Sequence, residues 1–232
     1  MTDRPRLTSI NLWQRHEQRC LRTLRAAIVR LAAGLADEGE PELNRRLYRA
    51  IIAVQGADAR DGLEQLSVVV PEGRNPPVAS DAQRTSREHK IPDFYWAYVD
   101  YLDPDPDAVA CQFVVECKRL TAPTKTWDYI AQYVYAGILR FVTEEHGYGK
   151  GTSSGAMLAY LQDVDADQAL REVNAQVAAN GLPVLAVRDR TADALIELHH
   201  QLARLFPDSP FLLTHLWTRV AAAASSSPRA DL

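Results

Sequence analysis

The chain has 232 residues, of which 47% are apolar and 24% charged, as in a globular protein with one large or two small domains. Its 26 lysines and arginines against 30 acidic residues give a formal net charge of −4, which excludes a polycation that holds nucleic acid by bulk attraction. No apolar run reaches the about 20 residues of a membrane span, the polar N-terminus carries no secretory signal, and three cysteines lack metal-ligand spacing. We therefore expect a cytoplasmic protein that does not associate with membranes.

The first predicted helix covers about residues 12–36 and combines an apolar stripe with many arginines. Residues 1–35 hold seven arginines and two acidic residues. The arginines outside the stripe form either a solvated face or a surface for a phosphate backbone, and in the second case Arg15, Arg19 and Arg22 are the candidate DNA contacts. The stripe has spacings of three and four residues and consists of Leu21, Leu24, Ile28, Leu31 and Leu35.

The next elements alternate between helix and strand. Pro41 opens a second helix that runs to about Val54, and a short strand is predicted over residues 63–70, before an exposed loop at 71–87. Residues 92–102 and 108–118 are dense in aromatic and β-branched side chains, and the proline-rich segment 103–107 between them reads as a turn. The pair predicts an antiparallel hairpin.

The second half of the chain also mixes helices and strands. A third helix, capped by Thr124 or Thr126, extends to Phe141 and precedes a glycine-rich loop at 147–155. The remaining predictions are a strand over 156–162, a helix over 165–180, a strand over 182–187 and a helix over 191–206, whereas 211–220 fits either type.

The predicted hairpin carries the residues that are most informative about chemistry. Glu116 and Lys118 are two positions apart on one strand, so their side chains leave the same face about 6–7 Å apart. Asp93 begins the partner strand and can approach Glu116. Carboxylates that converge beside an ammonium group are costly to bury unless they are paired or bind a cation. The arrangement predicts a site for Mg²⁺, in which Asp93 and Glu116 are ligands and Lys118 assists hydrolysis of a phosphodiester.

These residues resemble the signature of the PD-(D/E)XK nuclease superfamily, which has the restriction-endonuclease-like fold. The resemblance rests on Pro92-Asp93, on the spacer, and on the apolar run that ends in Glu116-Cys117-Lys118. It implies that Asp93 and Glu116 bind Mg²⁺ or Mn²⁺, that the backbone carbonyl of Cys117 joins them, and that Lys118 is catalytic. Glu42 is the position that matches the family's further helix acid, although it also suits the first turn of a helix. Gln132, with Tyr135, resembles a glutamine that some branches carry, and it is also an ordinary polar helix residue.

The resemblance and the element order together predict an α/β fold. We expect a central mixed β-sheet flanked by helices, with a restriction-endonuclease-like αβββαβ core, an N-terminal helix and a C-terminal extension. The predicted units are an N-terminal arginine-rich helix at 1–39, the nuclease-like core at 40–190, and an extension at 191–232 that is frayed at its end.

The function that this resemblance implies is Mg²⁺-dependent hydrolysis of DNA by an endonuclease, in bacterial restriction or phage defence. Lys125, before the third helix, is a further candidate DNA contact. A homodimer that uses the leucine and isoleucine stripe of the first helix is one candidate assembly. The alternative is a catalytically inactive protein of the same fold that binds nucleic acid or serves as a scaffold subunit of a larger defence complex.

Overall fold

The structure is a computed structural model, and it describes residues 7–32, 38–63, 67–74, 90–99, 109–149, 151–191, 195–204 and 210–220. The predicted turn at 103–107, most of the predicted loop at 71–87 and the predicted frayed end from residue 221 lie outside these ranges. None of the described helices is long and apolar enough to cross a membrane.

Two helices at the start of the chain pack together on one face of the sheet. They are α1 (Leu7–Ala32) and α2 (Glu40–Arg60), and Pro41 stands in the first turn of α2 as predicted. The described residues of the predicted stripe, Leu21, Leu24, Ile28 and Leu31, are buried in a core shared with α2 and the sheet. The stripe therefore belongs to the interior of this chain, and its proposed role as a dimer interface is wrong.

All seven described strands form one mixed sheet, in the order β1-β2-β3-β4-β7-β6-β5. The hairpin predicted around residue 105 is confirmed, because β2 and β3 pair antiparallel with Phe94 opposite Val115. Of the strand predicted over residues 63–70, the described part contributes only Val70, which forms the two-residue edge strand with Pro71. The bounds are β1 (Val70–Pro71), β2 (Phe94–Val99), β3 (Ala110–Thr121), β4 (Ser154–Gln162), β5 (Ala186–Thr191), β6 (Leu195–Leu202) and β7 (Phe211–Arg219).

The centre of the sheet is parallel, and its central strand is buried on both faces. Strand β4 runs parallel to both β3 and β7, and all nine of its residues are buried. A strand that is covered on both faces has a continuous apolar run instead of an alternating pattern, and this run is the reason that the sequence predicts a strand over residues 156–162. The outer pairs β1–β2, β2–β3, β7–β6 and β6–β5 are antiparallel.

In the described part of the chain, two further helices and a short 3₁₀ helix cover the opposite face of the sheet. These elements are α3 (Tyr129–Tyr135), the 3₁₀ helix Ile138–Phe141 and α4 (Ala166–Ala179). The predicted helix to Phe141 is interrupted at Gly137, whose missing side chain leaves room for the Tyr133 carbonyl: a Cβ there would lie 2.3 Å from that oxygen. Asp165 caps α4 through its side chain, in agreement with the predicted helix at 165–180.

The C-terminal part of the chain completes the sheet. The helix predicted over residues 191–206 is wrong, because the described part of that segment consists mainly of β6, with Thr191 at the end of β5. Residues 211–219, which fitted either type, form β7 beside the central strand. The described residues thus make an α/β fold with a seven-stranded mixed sheet between two helical layers, as the sequence predicted in outline.

Candidate functional site

The acidic residues predicted from the hairpin meet where β2 begins beside the middle of β3. The pairing of Phe94 with Val115 brings Asp93 next to the Glu116 position, since Asp93 directly precedes β2. The backbone N–H of Cys117 donates to Oδ2 of Asp93 at 2.6 Å, which ties this carboxylate to β3. Val115 and Cys117 point into the core shared with α1 and α2. The alternation of the strand therefore directs Glu116 and Lys118 to the other face.

The ammonium group of Lys118 is surrounded by oxygen atoms from four residues. Its Nζ lies 2.8 Å from Oε1 of Glu116 and 2.7 Å from the carbonyl oxygen of Cys117. It lies 3.5 Å from Oε1 of Glu40 and 4.0 Å from Oδ2 of Asp93. Although burial by itself lowers the pKa of Lys118, the charges of these carboxylates outweigh it and raise that pKa. The amine is therefore held in its protonated form.

Glu116 is the most deeply buried member of the cluster and also binds an arginine. Its side chain is 1% exposed, and its Oε1 accepts a hydrogen bond from Nη1 of Arg140 at 2.6 Å in addition to that from Lys118. Its Oε2 is buried and has no hydrogen-bond partner among the described residues. Burial, and then the charge of Asp93, raise the pKa of Glu116 to about 8, while Lys118 and Arg140 act in the opposite direction.

The described cluster contains more carboxyl groups than cations. Three carboxyl groups, on Glu40, Asp93 and Glu116, face two cations, on Lys118 and Arg140. Burial also raises the pKa of Asp93, and Lys118 only partly offsets this. Burial is the largest cause of both pKa shifts, and the neighbouring cations only partly offset it. A divalent cation held by these carboxylates would lower both pKa values.

A second hydrogen bond to Asp93 comes from a side chain of α2, which is itself bonded to a residue of β4. The Asn44 side chain donates from Nδ2 to Oδ1 of Asp93 at 3.1 Å. The hydroxyl of Tyr160 on β4, which is fully buried, donates to Oδ1 of Asn44 at 3.0 Å. Both oxygens of Asp93 therefore accept a hydrogen bond, and the orientation of the carboxylate is fixed before any ligand arrives.

The helix acid that reaches the cluster is Glu40 and not the predicted Glu42. Glu40 accepts the backbone N–H of Arg119 at 3.1 Å through Oε2 while its other oxygen faces Lys118. Glu42 instead pairs with Arg45 and, more distantly, with Arg46 of its own helix. Two positions on a helix differ by about 200° in direction, so the two glutamates leave opposite sides of α2.

The predicted glutamine does not join the cluster, and an arginine that the sequence did not single out does. Gln132 lies on α3, and within the described part of the chain no hydrogen bond connects its side chain to Asp93, Glu116 or Lys118. Arg140, on the following 3₁₀ helix, makes the contact to Glu116 and a longer one of 3.5 Å to the hydroxyl of Tyr148. The spacing of residues in the sequence does not identify Arg140 as a site residue, because its position beside Glu116 depends on the break in the helix at Gly137.

The candidate DNA contacts lie on exposed or partly exposed surfaces, and some neighbouring arginines serve the fold. Arg15 and Lys125 are exposed and Arg19 is partly buried. Arg22 pairs with Asp58 of α2 at 3.0 Å. Arg25, on the same helix, forms a two-point ion pair with the buried Glu197 of β6, at 2.7 and 2.9 Å. The role of Arg15, Arg19, Arg22 and Lys125 in binding DNA stays a prediction.

The donor atoms of the cluster fit a hard divalent cation. Among the described residues, no group of three or more histidine, cysteine, aspartate and glutamate side chains is arranged to hold a metal ion. The smaller set of two carboxylates and one carbonyl, from Asp93, Glu116 and Cys117, consists of the oxygen donors that Mg²⁺ takes together with water. The Oε2 of Glu116 is a buried oxygen without a hydrogen-bond partner among the described residues. In their donor chemistry, these residues fit Mg²⁺ or Mn²⁺.

Comparisons of the chain with protein-family models, with curated proteins and with solved structures found no match to any of them.

Proposed function

We propose that this protein is a metal-dependent phosphodiesterase that cleaves DNA internally, with its active site at Asp93, Glu116 and Lys118. The observation that carries the proposal is the meeting of these three side chains at one point on neighbouring strands. Two hydrogen bonds hold this arrangement together. The Cys117 N–H donates to Asp93 at 2.6 Å, and the Lys118 ammonium donates to Glu116 at 2.8 Å. Packing alone gives no reason to bury two carboxylates beside each other.

The order of elements supports the more specific assignment to the PD-(D/E)XK nucleases. From α2 to β4 the described elements are a helix, three strands, a helix followed by a short 3₁₀ helix, and a strand, with β1, β2 and β3 antiparallel and β4 parallel to β3. Asp93 immediately precedes the second of these strands, and Glu116 and Lys118 lie on the third. The PD-(D/E)XK motif has its acidic residues and its lysine on the same two strands. Strands β5, β6 and β7 extend this αβββαβ core on its far side.

The protein residues have distinct parts in this reaction. Asp93, Glu116 and the Cys117 carbonyl would hold the Mg²⁺ or Mn²⁺ ion. When bound, such an ion polarises the phosphodiester and lowers the pKa of a coordinated water. Because the neighbouring carboxylates raise its pKa, Lys118 is a cation suited to stabilising negative charge on the phosphate oxygens rather than to removing a proton. Asn44 fixes the orientation of Asp93.

One observation favours the second candidate function, a nucleic-acid-binding or scaffold protein that has the fold without the activity. The Lys118 ammonium contacts the surrounding oxygens itself, so this lysine can serve as a structural counterion of the buried carboxylates. A protein of this kind would bind nucleic acid without Mg²⁺ and would not cut it. The setting, in bacterial restriction or phage defence, is part of the proposal in either case.

Incubation of the purified protein with supercoiled plasmid in Mg²⁺, in Mn²⁺ and in EDTA separates the two functions. The proposal predicts nicked and linear products only with a divalent cation. The variants Asp93→Asn, Glu116→Gln and Lys118→Met should each lower the rate by about 100-fold or more. Glu42→Gln is the matched control, because it removes a carboxylate that faces arginines of its own helix. Undiminished cutting by the three variants would refute the proposal, and metal-independent binding without cutting would favour the second function.

A further inference from the structure

Of the two cations in the described cluster, Lys118 and Arg140, the proposed reaction does not use Arg140. Its side chain is 27% exposed and lies between solvent and the buried Glu116, which it contacts at 2.6 Å. The guanidinium also lies over the ring of Tyr148, 5.9 Å from the ring centre, and its Nε is buried without a hydrogen-bond partner among the described residues. Arg140 is thus held by one strong contact, to Glu116, and by weaker ones to Tyr148.

That strong contact is made to a carboxylate that a metal ion would also use. Arg140 and Lys118 both donate to Oε1 of Glu116, whereas Oε2 of the same carboxylate has no hydrogen-bond partner among the described residues. An ion bound at Oε2 would therefore lie close to two positive charges. Like charges at such distances repel strongly in a buried setting. A divalent cation and the Arg140 guanidinium therefore compete for the same carboxylate.

A guanidinium that leaves Glu116 can stay near the site. It belongs to a side chain that is partly exposed and sits on a four-residue 3₁₀ helix outside the sheet, so a change of its rotamer would move it without displacing a strand. Its planar set of donors matches a phosphate group as well as it matches a carboxylate. The next anion available at this position is the backbone of a nucleic acid substrate.

We infer that Arg140 exchanges partners, occupying Glu116 in the metal-free protein and binding a substrate phosphate once a divalent cation has taken that carboxylate. This inference rests on the proposed function and adds a phosphate-binding residue to it. It predicts opposite effects of one substitution on two ligands. Removing the guanidinium eliminates a competitor of the metal and also a contact to the substrate.

The test is Arg140→Gln, which keeps a polar side chain and removes the charge. Binding of Mn²⁺ alone, followed by the loss of the free-ion signal in electron paramagnetic resonance, should become about tenfold tighter than in the wild type. In plasmid or duplex cleavage at saturating Mn²⁺, the KM for DNA should rise about tenfold while kcat changes less. Arg140→Lys keeps the charge without the planar fork and should leave Mn²⁺ affinity closer to the wild type.

Arg25→Gln is the matched control, because Arg25 forms the same kind of pair with a buried glutamate, Glu197, outside the cluster. It should alter neither Mn²⁺ affinity nor the KM for DNA. Unchanged or weaker Mn²⁺ binding by Arg140→Gln would overturn the inference, and in a wild type that binds Mn²⁺ and cuts DNA the proposed function would still stand. A wild type that takes up no Mn²⁺ would overturn both.

Discussion

Glu40 lies with one carboxylate oxygen 3.5 Å from the Lys118 ammonium, whereas Glu42, two residues further along the same helix, pairs with Arg45. The first contact links α2 to the candidate site, and the second stays within the helix. The two residues have the same side chain and belong to the same first turn. They therefore form a natural pair for separating the function of the site from the stability of α2.

We predict that Glu40→Gln weakens the site and that Glu42→Gln does not. The loss of the Glu40 charge removes one of the carboxylates that hold Lys118, so the amine becomes less well positioned and Mn²⁺ binding loses an attractive charge. DNA cleavage and Mn²⁺ affinity should both fall by about tenfold in Glu40→Gln. Cleavage rates and Mn²⁺ titrations of both variants test this.

The expected result for Glu42→Gln is wild-type activity with a change in stability below about 1 kcal/mol, since its partners are partly or largely exposed. Equal losses of activity in the two variants would contradict the assignment of Glu40. They would mean that the acidic end of α2 acts through the helix as a whole.

The sequence predicted the strand residues of the site but not the helix acid, and the reason is geometric. Glu116 and Lys118 are related by the two-residue period of a strand, which follows from the sequence alone. The direction of Glu40 relative to the sheet depends on how α2 is rotated about its own axis, and that rotation is set by tertiary packing of Leu43 and Leu47. Both glutamates satisfy the same local preference for acidic residues in a first turn.

The error at β6 has a similar origin in tertiary packing. Its apolar residues Leu195, Leu198 and Leu202 are spaced by three and four, which imitates a helix. The strand is covered on both faces, so its buried positions do not alternate. Glu197, which interrupts the apolar pattern, is buried because Arg25 of α1 pairs with it across the core, 172 residues away along the chain. No local rule predicts a partner at that separation.

We predict that Asn44→Ala impairs the site by releasing Asp93. The substitution removes the donor to Oδ1 of Asp93 and leaves the buried hydroxyl of Tyr160 without its acceptor. The free energy of unfolding should fall by about 1–3 kcal/mol, and Mn²⁺ affinity should fall as well because the carboxylate is no longer held in place. Urea denaturation and Mn²⁺ titration measure the two effects.

Tyr160→Phe separates these effects, because it removes the hydroxyl and keeps the contact from Asn44 to Asp93. It should lower stability by about 1 kcal/mol and leave Mn²⁺ affinity close to that of the wild type. If Tyr160→Phe weakened Mn²⁺ binding as much as Asn44→Ala, the effect on the metal would be a consequence of general loosening and not of Asp93 orientation.

We predict that Tyr133→Phe is strongly destabilising although Tyr133 lies outside the site. Its buried hydroxyl contacts Nδ1 of His215 at 2.7 Å and accepts a hydrogen bond from Nε1 of Trp217 at 2.9 Å. Without it, two buried polar groups lose their partner, and the free energy of unfolding should fall by about 2–4 kcal/mol. Tyr135→Phe, at an exposed position of the same helix, should change it by less than about 0.5 kcal/mol. Equal effects in urea denaturation would exclude this buried network as a source of stability.

His16 should make the fold sensitive to mild acid. It is buried between the rings of Trp13 and Tyr98, and burial, with a smaller contribution from the charge of Arg19, lowers its pKa from 6.5 to about 4. The unfolded chain therefore binds a proton between these values that the folded chain does not, so the stability present above pH 6.5 is lost as the pH falls toward 4. From pH 7 to pH 5 this histidine should lower the free energy of unfolding by about 2 kcal/mol.

The variant His16→Gln tests this prediction. Its free energy of unfolding should fall between pH 7 and pH 5 by about 2 kcal/mol less than that of the wild type. Identical pH dependence of the two proteins in urea denaturation would show that His16 titrates normally in the folded state.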